Sequence, residues 1–473
     1  MKKQPISKFS GVRQMWLPML LTSVLLGAGC NSLRSAGSEP SQRTSLKLTF
    51  SGSPAPGRPV GSQWVLGTPI TAYYHGPGGG HDRWGPLTPG MAKKLADGGF
   101  NLVWGTCVED LDVAHAHGLR VLMLASQQVK PWLTLSAAGA LNDPLRKPML
   151  DALIEQVKDH PAMYAWQVID EPSVADFSDV AAMVAYLREH DPKHLAMVNL
   201  FPTYASAAAL GTAGDTVTAY REHLRLLVEI VKPDLLSWDH YQLRKTHDGG
   251  QYFLNLALVR EAAVKHGLPF LNVVQAVALS PHFRVPTGNE GRYLAFTTLA
   301  YGGQGISQFV YWPYSEFKGG ISEFTDDNFN AERAKADAAA PLTPLGEALC
   351  EIHPEFIAIG TELQPLTSLG AYHLGAVPSG AVGLPTDATF TVVPPVATAQ
   401  KKGILLGYFG TSGQPTHVLA VNLDYNREIN TTVVGPAPLQ VFDAATGIWH
   451  AASDGARAQI SMAPGGGKLL RLR

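Results

Sequence analysis

The stretch Tyr164–Pro172 has the sequence YAWQVIDEP, in which an apolar run ends in two acidic residues and a proline. An amphipathic stretch suited to a helix precedes it at Asp151–Lys158, and another follows at Phe177–Glu189. A short apolar run between two such stretches is typical of a strand that is buried on both faces. Strands that alternate with helices pair in parallel, so the segment predicts one repeat of a parallel α/β fold with two acids at the carboxyl end of its strand.

The same alternation extends from about residue 68 to about residue 360 and gives the number of strands. Eight strand–helix repeats predict a closed (β/α)8 TIM barrel. An open doubly wound sheet usually carries a G-x-G-x-x-G turn after its first strand, and the turn Tyr74–Gly78 lacks that spacing. The eight predicted strands are Pro69–Tyr74, Asn101–Gly105, Arg120–Ala125, Tyr164–Ile169, Leu195–Leu200, Asp234–Trp238, Pro269–Val274 and Ile306–Trp312.

The helical periodicity ends at about Thr367, and short apolar runs separated by Gly, Pro and Thr take its place. Two such runs are Gly403–Tyr408 and His417–Asn422. This pattern predicts an all-β domain of the sandwich type. We therefore expect a (β/α)8 barrel over residues 62–364 and a C-terminal β-sandwich accessory domain over residues 365–473.

Residues 1–30 have the features of a bacterial export signal. An apolar stretch, Met15–Leu26, is too short to span a bilayer with ease. It ends in Gly27–Cys30, GAGC, which resembles the lipobox of bacterial lipoproteins except that the pattern usually has Leu where Gly27 stands. The positive residues before the apolar stretch are Lys2, Lys3, Lys8 and Arg13.

The lipobox resemblance implies cleavage before Cys30, a lipid on its thiol, and a membrane-anchored protein that faces the periplasm or the cell surface. Asn31 after the cysteine favours sorting to the outer membrane. An ordinary cleaved signal and an uncleaved anchor are the alternatives. Residues 31–61 are rich in Ser, Gly and Pro, which predicts a flexible linker.

Charge and cysteine content argue against several other classes of protein. The formal net charge is −2 without a long run of one sign, so we expect no nucleic-acid partner. Only Cys107 and Cys350 follow Cys30, and the chain has no Cys-x-x-Cys or His-Glu-x-x-His motif. We therefore expect no metal site.

In a (β/α)8 barrel the working residues project from the carboxyl ends of the strands. At these positions the chain has carboxylates, amides and aromatic rings. Acids move protons, amides bind hydroxyl groups, and aromatic rings stack on sugars, so the set predicts a carbohydrate site that needs no cofactor. The candidates are His75, Asp170, Glu171, Asn199, Asp239, His240, Tyr241, Gln275, Trp312 and Tyr314.

The segment Trp166–Pro172 resembles the fourth strand of clan A glycoside hydrolases, including the family 42 β-galactosidases, which ends in Asn-Glu and often continues with Pro. The resemblance implies that Glu171 is the general acid/base and that Asp170 stands in place of the Asn. The sixth strand, Leu236–Tyr241, looks like the Ser-x-His-x-Tyr region of these barrels. The eighth, Gln308–Trp312, looks like the strand whose terminal Trp floors the sugar subsite.

One position departs from that family. The clan has a nucleophilic Glu at the end of the seventh strand, where this chain has Gln275. An amide does not form a glycosyl ester at ordinary rates, so three interpretations stay open. In the first, Asp239 supplies the second carboxylate from the sixth strand and either attacks directly or activates water. In the second, Asp170 and Glu171 act as the Asp-Glu pair of substrate-assisted hexosaminidases, which the Asp-Glu-Pro triplet resembles in family 123. In the third, the site binds sugar without hydrolysis.

Overall fold

The computed structural model describes residues 68–79, 85–124, 140–313, 317–323, 331–396 and 402–473. Eight parallel strands form one sheet in the order β1-β8-β7-β6-β5-β4-β3-β2, so the last strand lies beside the first. Helices alternate with these strands, which confirms the (β/α)8 prediction. The barrel strands are β1 (Ile70–Tyr74), β2 (Leu102–Gly105), β3 (Arg120–Leu124), β4 (Met163–Asp170), β5 (Leu195–Leu200), β6 (Leu236–His240), β7 (Phe270–Gln275) and β8 (Gly305–Phe309).

The ring closes between β1 and β2 through one buried asparagine. The backbone N–H of Thr71 donates to Asn101 Oδ1 (2.9 Å), and Asn101 Nδ2 donates to the carbonyl of Pro69 (2.8 Å). The backbone N–H of Asn101 in turn donates to the carbonyl of Thr71 (3.0 Å). Since a buried polar group needs a partner, the side-chain amide satisfies backbone groups that a longer ladder would have satisfied.

The helices begin where the local sequence supplies a cap. Thr88 accepts from the N–H of Met91 with Pro89 at the first helical position, and Thr287 with Glu290 forms a capping box. The helices are α1 (Pro89–Asp97), α2 (Val108–Ala116), α3 (Arg146–Val157), α4 (Phe177–His190), α5 (Ala207–Leu210), α6 (Thr216–Leu226), α7 (Tyr252–His266), α8 (Gly288–Ala300), α9 (Ala331–Ala339) and α10 (Pro344–Leu363).

Two strands differ from their predicted bounds by two residues or more, and the other six agree within one residue. The sixth starts later because the Asp234 carboxylate accepts from the N–H of Ala196 (3.2 Å) and from the Arg188 guanidinium (3.0 Å), outside the ladder. It continues to His240, so Asp239 belongs to the strand itself. The eighth strand leaves the ladder at Phe309, three residues before Trp312.

The C-terminal region forms two packed sheets, which confirms the all-β sandwich. A seven-stranded sheet has the order β10-β9-β12-β13-β18-β15-β16, and a three-stranded sheet has the order β11-β14-β17. Apolar side chains from both sheets, including Leu406 and Ile460, share one core. The strands are β9 (Thr367–Leu374), β10 (Val382–Gly383), β11 (Thr391–Val393), β12 (Ile404–Thr411), β13 (Gln414–Asn422), β14 (Ile429–Val434), β15 (Leu439–Asp443), β16 (Ile448–Ala451), β17 (Arg457–Met462) and β18 (Gly467–Leu472).

The sandwich packs directly on the barrel helix α8. Gly407 in β12 lies so close that a Cβ atom there would be 2.2 Å from the carbonyl oxygen of Ala300. Phe409 and Leu419 of the large sheet belong to the same apolar core as the barrel. The sandwich is therefore packed against the barrel through buried apolar side chains and is not merely linked to it.

Residues 1–67, which include Cys30 and both segments predicted before the barrel, lie outside the described residues. In the part of the chain that is described, no helix is both long and apolar enough to cross a membrane.

Candidate active site

Asp170 and Glu171 stand at the carboxyl end of β4, where the backbone changes conformation sharply. Glu171 has a φ of 48°, a left-handed conformation that a residue with a Cβ atom rarely adopts. Its backbone N–H donates to the carbonyl of Asn199 on β5 (2.8 Å), which holds the turn in place. Strained backbone of this kind is concentrated at functional sites, where surrounding contacts fix it.

The Asn199 amide joins two of the candidate carboxylates. Its Nδ2 donates to Asp170 Oδ1 (2.9 Å) and to Asp239 Oδ1 (3.1 Å). The Ser237 hydroxyl donates to Asn199 Oδ1 (2.8 Å), which fixes the orientation of the amide. Side chains from β4, β5 and β6 thus meet at one point, and the amide N–H groups favour the ionised form of each aspartate.

The carboxyl groups of Glu171 and Asp239 are hydrogen-bonded to each other. Burial raises the pKa of Glu171 well above its usual range, and the charges of Asp239 and Asp170 raise it further. Burial and the charge of Asp170 also raise the pKa of Asp239, whereas hydrogen bonds from Asn199 and Glu171 favour its ionised form. Two carboxylates in contact cannot both ionise at low cost, so Glu171 retains the proton and Asp239 carries the charge.

Asp170 has a different environment from that pair. Desolvation raises its pKa, and hydrogen bonds from Asn199 and the Tyr74 hydroxyl oppose the rise. Its side chain nevertheless remains exposed at the mouth of the barrel. Because solvent reaches it, we place the stronger proton affinity on Glu171 and treat Asp170 as an ionised group that can contact a ligand.

Two tyrosines complete the site, and neither was among the candidates from the sequence. The Tyr74 hydroxyl bonds Asp170 and accepts from Gln167 Nε2 (3.0 Å). Tyr204, in the loop after β5, is 41% exposed, and Asp239 and Glu171 both act on its hydroxyl electrostatically. Tyr74 ends β1 and could have been found by counting strand-end residues strictly. Tyr204 lies four residues beyond a strand end, which gives no sequence signal.

His240 and Tyr241 surround the site but are themselves buried. His240 Nδ1 bonds Asn255 Oδ1 (2.9 Å), and burial lowers the pKa of His240 to about 4, so the ring is neutral. Because Asn255 Oδ1 also accepts from a backbone N–H, His240 Nδ1 is the donor of that bond. The Tyr241 ring packs against that of Phe309, with centroids 5.1 Å apart. The charges of Asp239, Asp170 and Glu171 act on the Tyr241 hydroxyl, whereas the His240 side chain is held by Asn255 of α7.

Gln275 lies at the end of β7, but its amide is fully occupied by backbone groups. Oε1 accepts from the N–H of Leu243 (2.8 Å), and Nε2 donates to the carbonyls of Leu243 (3.1 Å), Val277 (3.0 Å) and Arg284 (3.0 Å). Gln275 is 1% exposed. No donor of the Gln275 side chain remains for a sugar hydroxyl. In this structure the side chain connects the loop after β6 to the loop after β7 and does not bind substrate.

The aromatic residue at the end of β8 is Phe309, and not Trp312 as expected. Trp312 lies beyond the end of the strand and is 1% exposed, so it offers no open face for stacking. Phe309 packs near Tyr74 and His75, with centroid distances of 6.5 Å and 5.8 Å. His75, with a φ of 62°, lies at the mouth as predicted, and Tyr314 lies outside the described residues.

Within the described ranges, no group of three or more His, Cys, Asp or Glu side chains has the arrangement of a metal site.

A separate groove of about 850 Å³ lies between α6 and α7. Its charged side chains pair with one another, as in Arg221–Glu261 (2.8 Å) and Arg225–Glu222 (2.7 Å). Glu171 and Asp239, the carboxyl groups whose pKa values are raised well above the usual range, both lie at the barrel mouth, which we therefore take as the candidate active site. Burial also raises the pKa of Asp110 in α2 and of Glu355 in α10, outside this cluster.

No protein-family model and no curated protein matches the chain. Among solved structures it is similar to an endo-β-1,4-mannanase from Thermotoga petrophila, with 12% identity, coverage of 83% of this chain and 97% of that one, and a TM-score of 0.40. It is similar to a family 5 glycoside hydrolase from Bacteroides vulgatus, with 12% identity, coverage of 86% and 88%, and a TM-score of 0.45. A β-galactosidase from Marinomonas ef1 has 13% identity, coverage of 65% and 63%, and a TM-score of 0.43.

These structural neighbours are glycoside hydrolases, but their likeness to the chain is too low to carry an argument about its activity. It does not single out family 42 among them. The strand order of the chain itself defines the fold, and a fold alone does not fix an activity.

Proposed function

We propose that this protein is a glycoside hydrolase in which Glu171 is the general acid/base and Asp239 is the second carboxylate. The observation that carries the proposal is the contact between the carboxyl groups of Glu171 and Asp239 at the carboxyl end of the barrel, where burial raises the pKa of both. Titratable groups whose environments separate their protonation states are the usual mark of an acid and a base that act together. The substrate class that we infer is an oligosaccharide or polysaccharide.

In this proposal the proton on Glu171 moves to the glycosidic oxygen as the bond between that oxygen and the anomeric carbon breaks. The Asp239 carboxylate attacks the anomeric carbon and forms a glycosyl ester. Water that loses a proton to Glu171 then cleaves the ester and restores both groups. Direct attack by Asp239 followed by hydrolysis of the ester makes retention of the anomeric configuration the expected outcome.

The surroundings of the pair supply contacts that a sugar needs. The exposed ring of Tyr204 offers an apolar face beside the carboxylates, and its T-shaped contact with His240 (5.0 Å between centroids) orients it. Asp170 adds a hydrogen-bond acceptor at the mouth. An aromatic face and convergent polar groups together form a site suited to one pyranose ring.

Asp170 also supports a second candidate function, a substrate-assisted hexosaminidase. Its carboxylate is open to the mouth and is held by Tyr74 and Asn199 beside the proposed acid. In that mechanism Asp170 orients the 2-acetamido group of the substrate, whose oxygen replaces Asp239 as the nucleophile. The first candidate is favoured because Glu171 is hydrogen-bonded to Asp239.

The test is hydrolysis of a broad panel of aryl glycosides and glycans by the protein without residues 1–30, beside Glu171→Gln and Asp239→Asn. We expect each substitution to lower kcat by at least ~10³-fold, the scale on which loss of a catalytic acid or nucleophile acts. Proton NMR of the first product should show the anomeric configuration of the substrate. Turnover that survives Asp239→Asn only on 2-acetamido sugars would favour the hexosaminidase, and sugar binding without turnover would favour a non-catalytic carbohydrate-binding protein.

We also propose that the chain is exported and anchored at Cys30 by a lipid, facing the periplasm or the cell surface. The support is the signal-like segment and the GAGC sequence that ends it. Cys30→Ser in the full chain should move the protein from the membrane fraction to the soluble fraction. An unchanged distribution would contradict the anchor.

A further inference from the structure

The chain that leaves β6 folds back on itself immediately beyond the candidate site. We call residues 242–249 the β6 hairpin. Leu243 and Asp248 form an antiparallel bridge, the N–H of Arg244 donates to the carbonyl of His247 (3.1 Å), and the N–H of Gly249 donates to that of Gln242 (2.7 Å). The hairpin starts three residues after Asp239, so its placement bears on the mouth of the barrel.

The loop after β7 holds the hairpin along one edge. Arg244 forms an antiparallel bridge with Phe283, and the N–H of Arg284 donates to the carbonyl of Leu243 (3.1 Å). The Gln275 amide also connects the two loops, because it donates to the carbonyls of Leu243 and Arg284. The Arg284 guanidinium also donates to the carbonyl of Arg244. Backbone pairing therefore makes the two loops one structural unit.

The accessory domain holds the hairpin at its other end through one tyrosine. The Tyr425 hydroxyl, in the loop after β13, donates to Asp248 Oδ2 (2.6 Å). Arg284 Nη2 donates to Asp248 Oδ1 (2.6 Å) and lies 3.2 Å from the Tyr425 hydroxyl. The Arg284 side chain is 24% exposed and also pairs with the buried Glu290, which caps α8. The contact is thus a charge-assisted network that links the sandwich to the loops of the active site.

The charged side chain of Arg244 lies where the hairpin meets the loop after β7. The Arg244 guanidinium stacks on the Phe283 ring, 4.7 Å from its centroid. Its charge acts on the Tyr204 hydroxyl and on the His240 ring. Arg244 is therefore the residue of the hairpin whose position would affect a bound sugar. The exposed Tyr204 would interact with the sugar as well.

We propose that Tyr425 of the accessory domain is a positioning residue for the substrate site, because its hydrogen bond to Asp248 fixes the β6 hairpin and, through it, Arg244. The inference rests on the proposed function for its kinetic consequence. Asp239 and Glu171 stand on β6 and at the end of β4, outside the hairpin. Tyr425 consequently governs how substrate is held and leaves the chemical step unchanged.

The test is Tyr425→Phe, which removes the hydroxyl and keeps the ring that packs on Tyr293 (5.4 Å between centroids). We expect KM to rise about three- to tenfold and kcat to change less than twofold, the scale expected when part of a hydrogen bond to a charged group is lost. In an Arg244→Ala background, Tyr425→Phe should cause no further rise in KM. A loss of general stability would not show this dependence on Arg244.

The matched control is Tyr408→Phe, which removes another hydroxyl of the same sandwich, one that bonds the backbone of Phe390. Hydrogen exchange of the peptide that covers residues 241–250 supplies a measurement independent of turnover. Exchange should become faster there in Tyr425→Phe and stay unchanged in Tyr408→Phe. Unchanged exchange, an equal effect in both variants, or a KM rise that persists in the Arg244→Ala background would overturn the proposal.

The two proposals fail in different ways. If the wild-type protein hydrolyses nothing, the proposed function is wrong, and the exchange of the β6 hairpin alone decides whether Tyr425 fixes it. If hydrolysis is observed but Tyr425→Phe changes neither KM nor exchange, the positioning role is wrong and the function stands.

Discussion

Asp191 and Asp239 are both almost fully buried aspartates of the same barrel, but they lie at opposite ends of its strands. Asp191 precedes β5 and accepts from Trp166 Nε1 (2.8 Å) and His194 Nδ1 (2.7 Å). Asp239 ends β6 beside two other carboxyl groups, and burial together with the charge of Asp170 raises its pKa. The first aspartate has donors on both oxygens, whereas the second faces groups that compete with it for protons.

The difference indicates that the two ends of the barrel have different roles, one in stability and one in chemistry. A single buried carboxylate with two donors ties β4 to the turn before β5 and lowers the free energy of the folded state. Three carboxyl groups within one hydrogen-bonded network raise that free energy, since charge repulsion and desolvation act together. Such a cost at the carboxyl ends of the strands is expected of a site that does chemistry.

The largest effect that would sharpen this comparison is expected from Asp191→Ala. The substitution leaves the Trp166 indole N–H and the His194 Nδ1 buried without their acceptor, so the free energy of unfolding should fall by about 2–4 kcal/mol. Activity per folded molecule should stay unchanged. Chemical denaturation and an assay at low temperature would measure the two quantities.

Asp239→Ala is the counterpart, with the opposite expected outcome: activity is lost while stability is unchanged or higher. If the Asp191 variant lost its turnover while folded, or if Asp239→Ala unfolded the protein, the division of roles between the two ends would be wrong.

The second effect is a gain in stability from Glu171→Gln that depends on pH. Folding raises the pKa of Glu171, so the folded state binds this proton more tightly than the unfolded state does. This stabilisation is complete below about pH 4.3, the pKa of a glutamate in the unfolded chain. It is lost as the pH rises from there to the raised pKa of Glu171 in the folded state. Glutamine avoids the loss, so the variant should be more stable by about 0.5–2 kcal/mol at pH 7, the usual range for one stabilising substitution.

Thermal unfolding of both proteins at pH 4 and pH 7 measures this difference, which should nearly vanish at pH 4. Glu155→Gln is the control, because Glu155 is an exposed residue of α3 that pairs with Lys158 (2.6 Å) at the surface. Equal gains from the two substitutions, or a gain that is independent of pH, would contradict the assignment of the retained proton to Glu171.

The smallest effect is a shift of the pH profile in Asp170→Asn. The negative charge of Asp170 raises the pKa of Glu171, so its removal should lower that pKa. The basic limb of kcat/KM reports the loss of the acid proton and should move to lower pH. Asp159→Asn, at an exposed residue that pairs with Lys193, should leave the limb in place. Complete loss of activity on 2-acetamido sugars would instead assign Asp170 to substrate assistance.

The fold and the central carboxylates were predictable because both follow from local pattern and strand count. Apolar runs alternating with helices specify the eight-stranded barrel, and the barrel in turn specifies which strand ends face the same opening, including those of Glu171 and Asp239. Trp312 was misplaced because the end of β8 depends on where the ladder with β7 stops, which no local signal marks. Gln275 has a backbone-binding role that depends on loops distant in sequence, and Tyr204 reaches the site only through the path of its loop.

The left-handed backbone of Glu171 has a consequence for the evolution of this protein. Glycine, asparagine and aspartate tolerate that conformation better than glutamate does, and none of them would place the same carboxyl group beside Asp239. Most exchanges at this position would therefore relieve backbone strain and remove a desolvated acid at once. In a descendant that is no longer selected for activity, glutamate at position 171 should be replaced early, and the replacement should raise the stability of the folded state. The residue at position 171 should therefore distinguish active lineages from inactive ones.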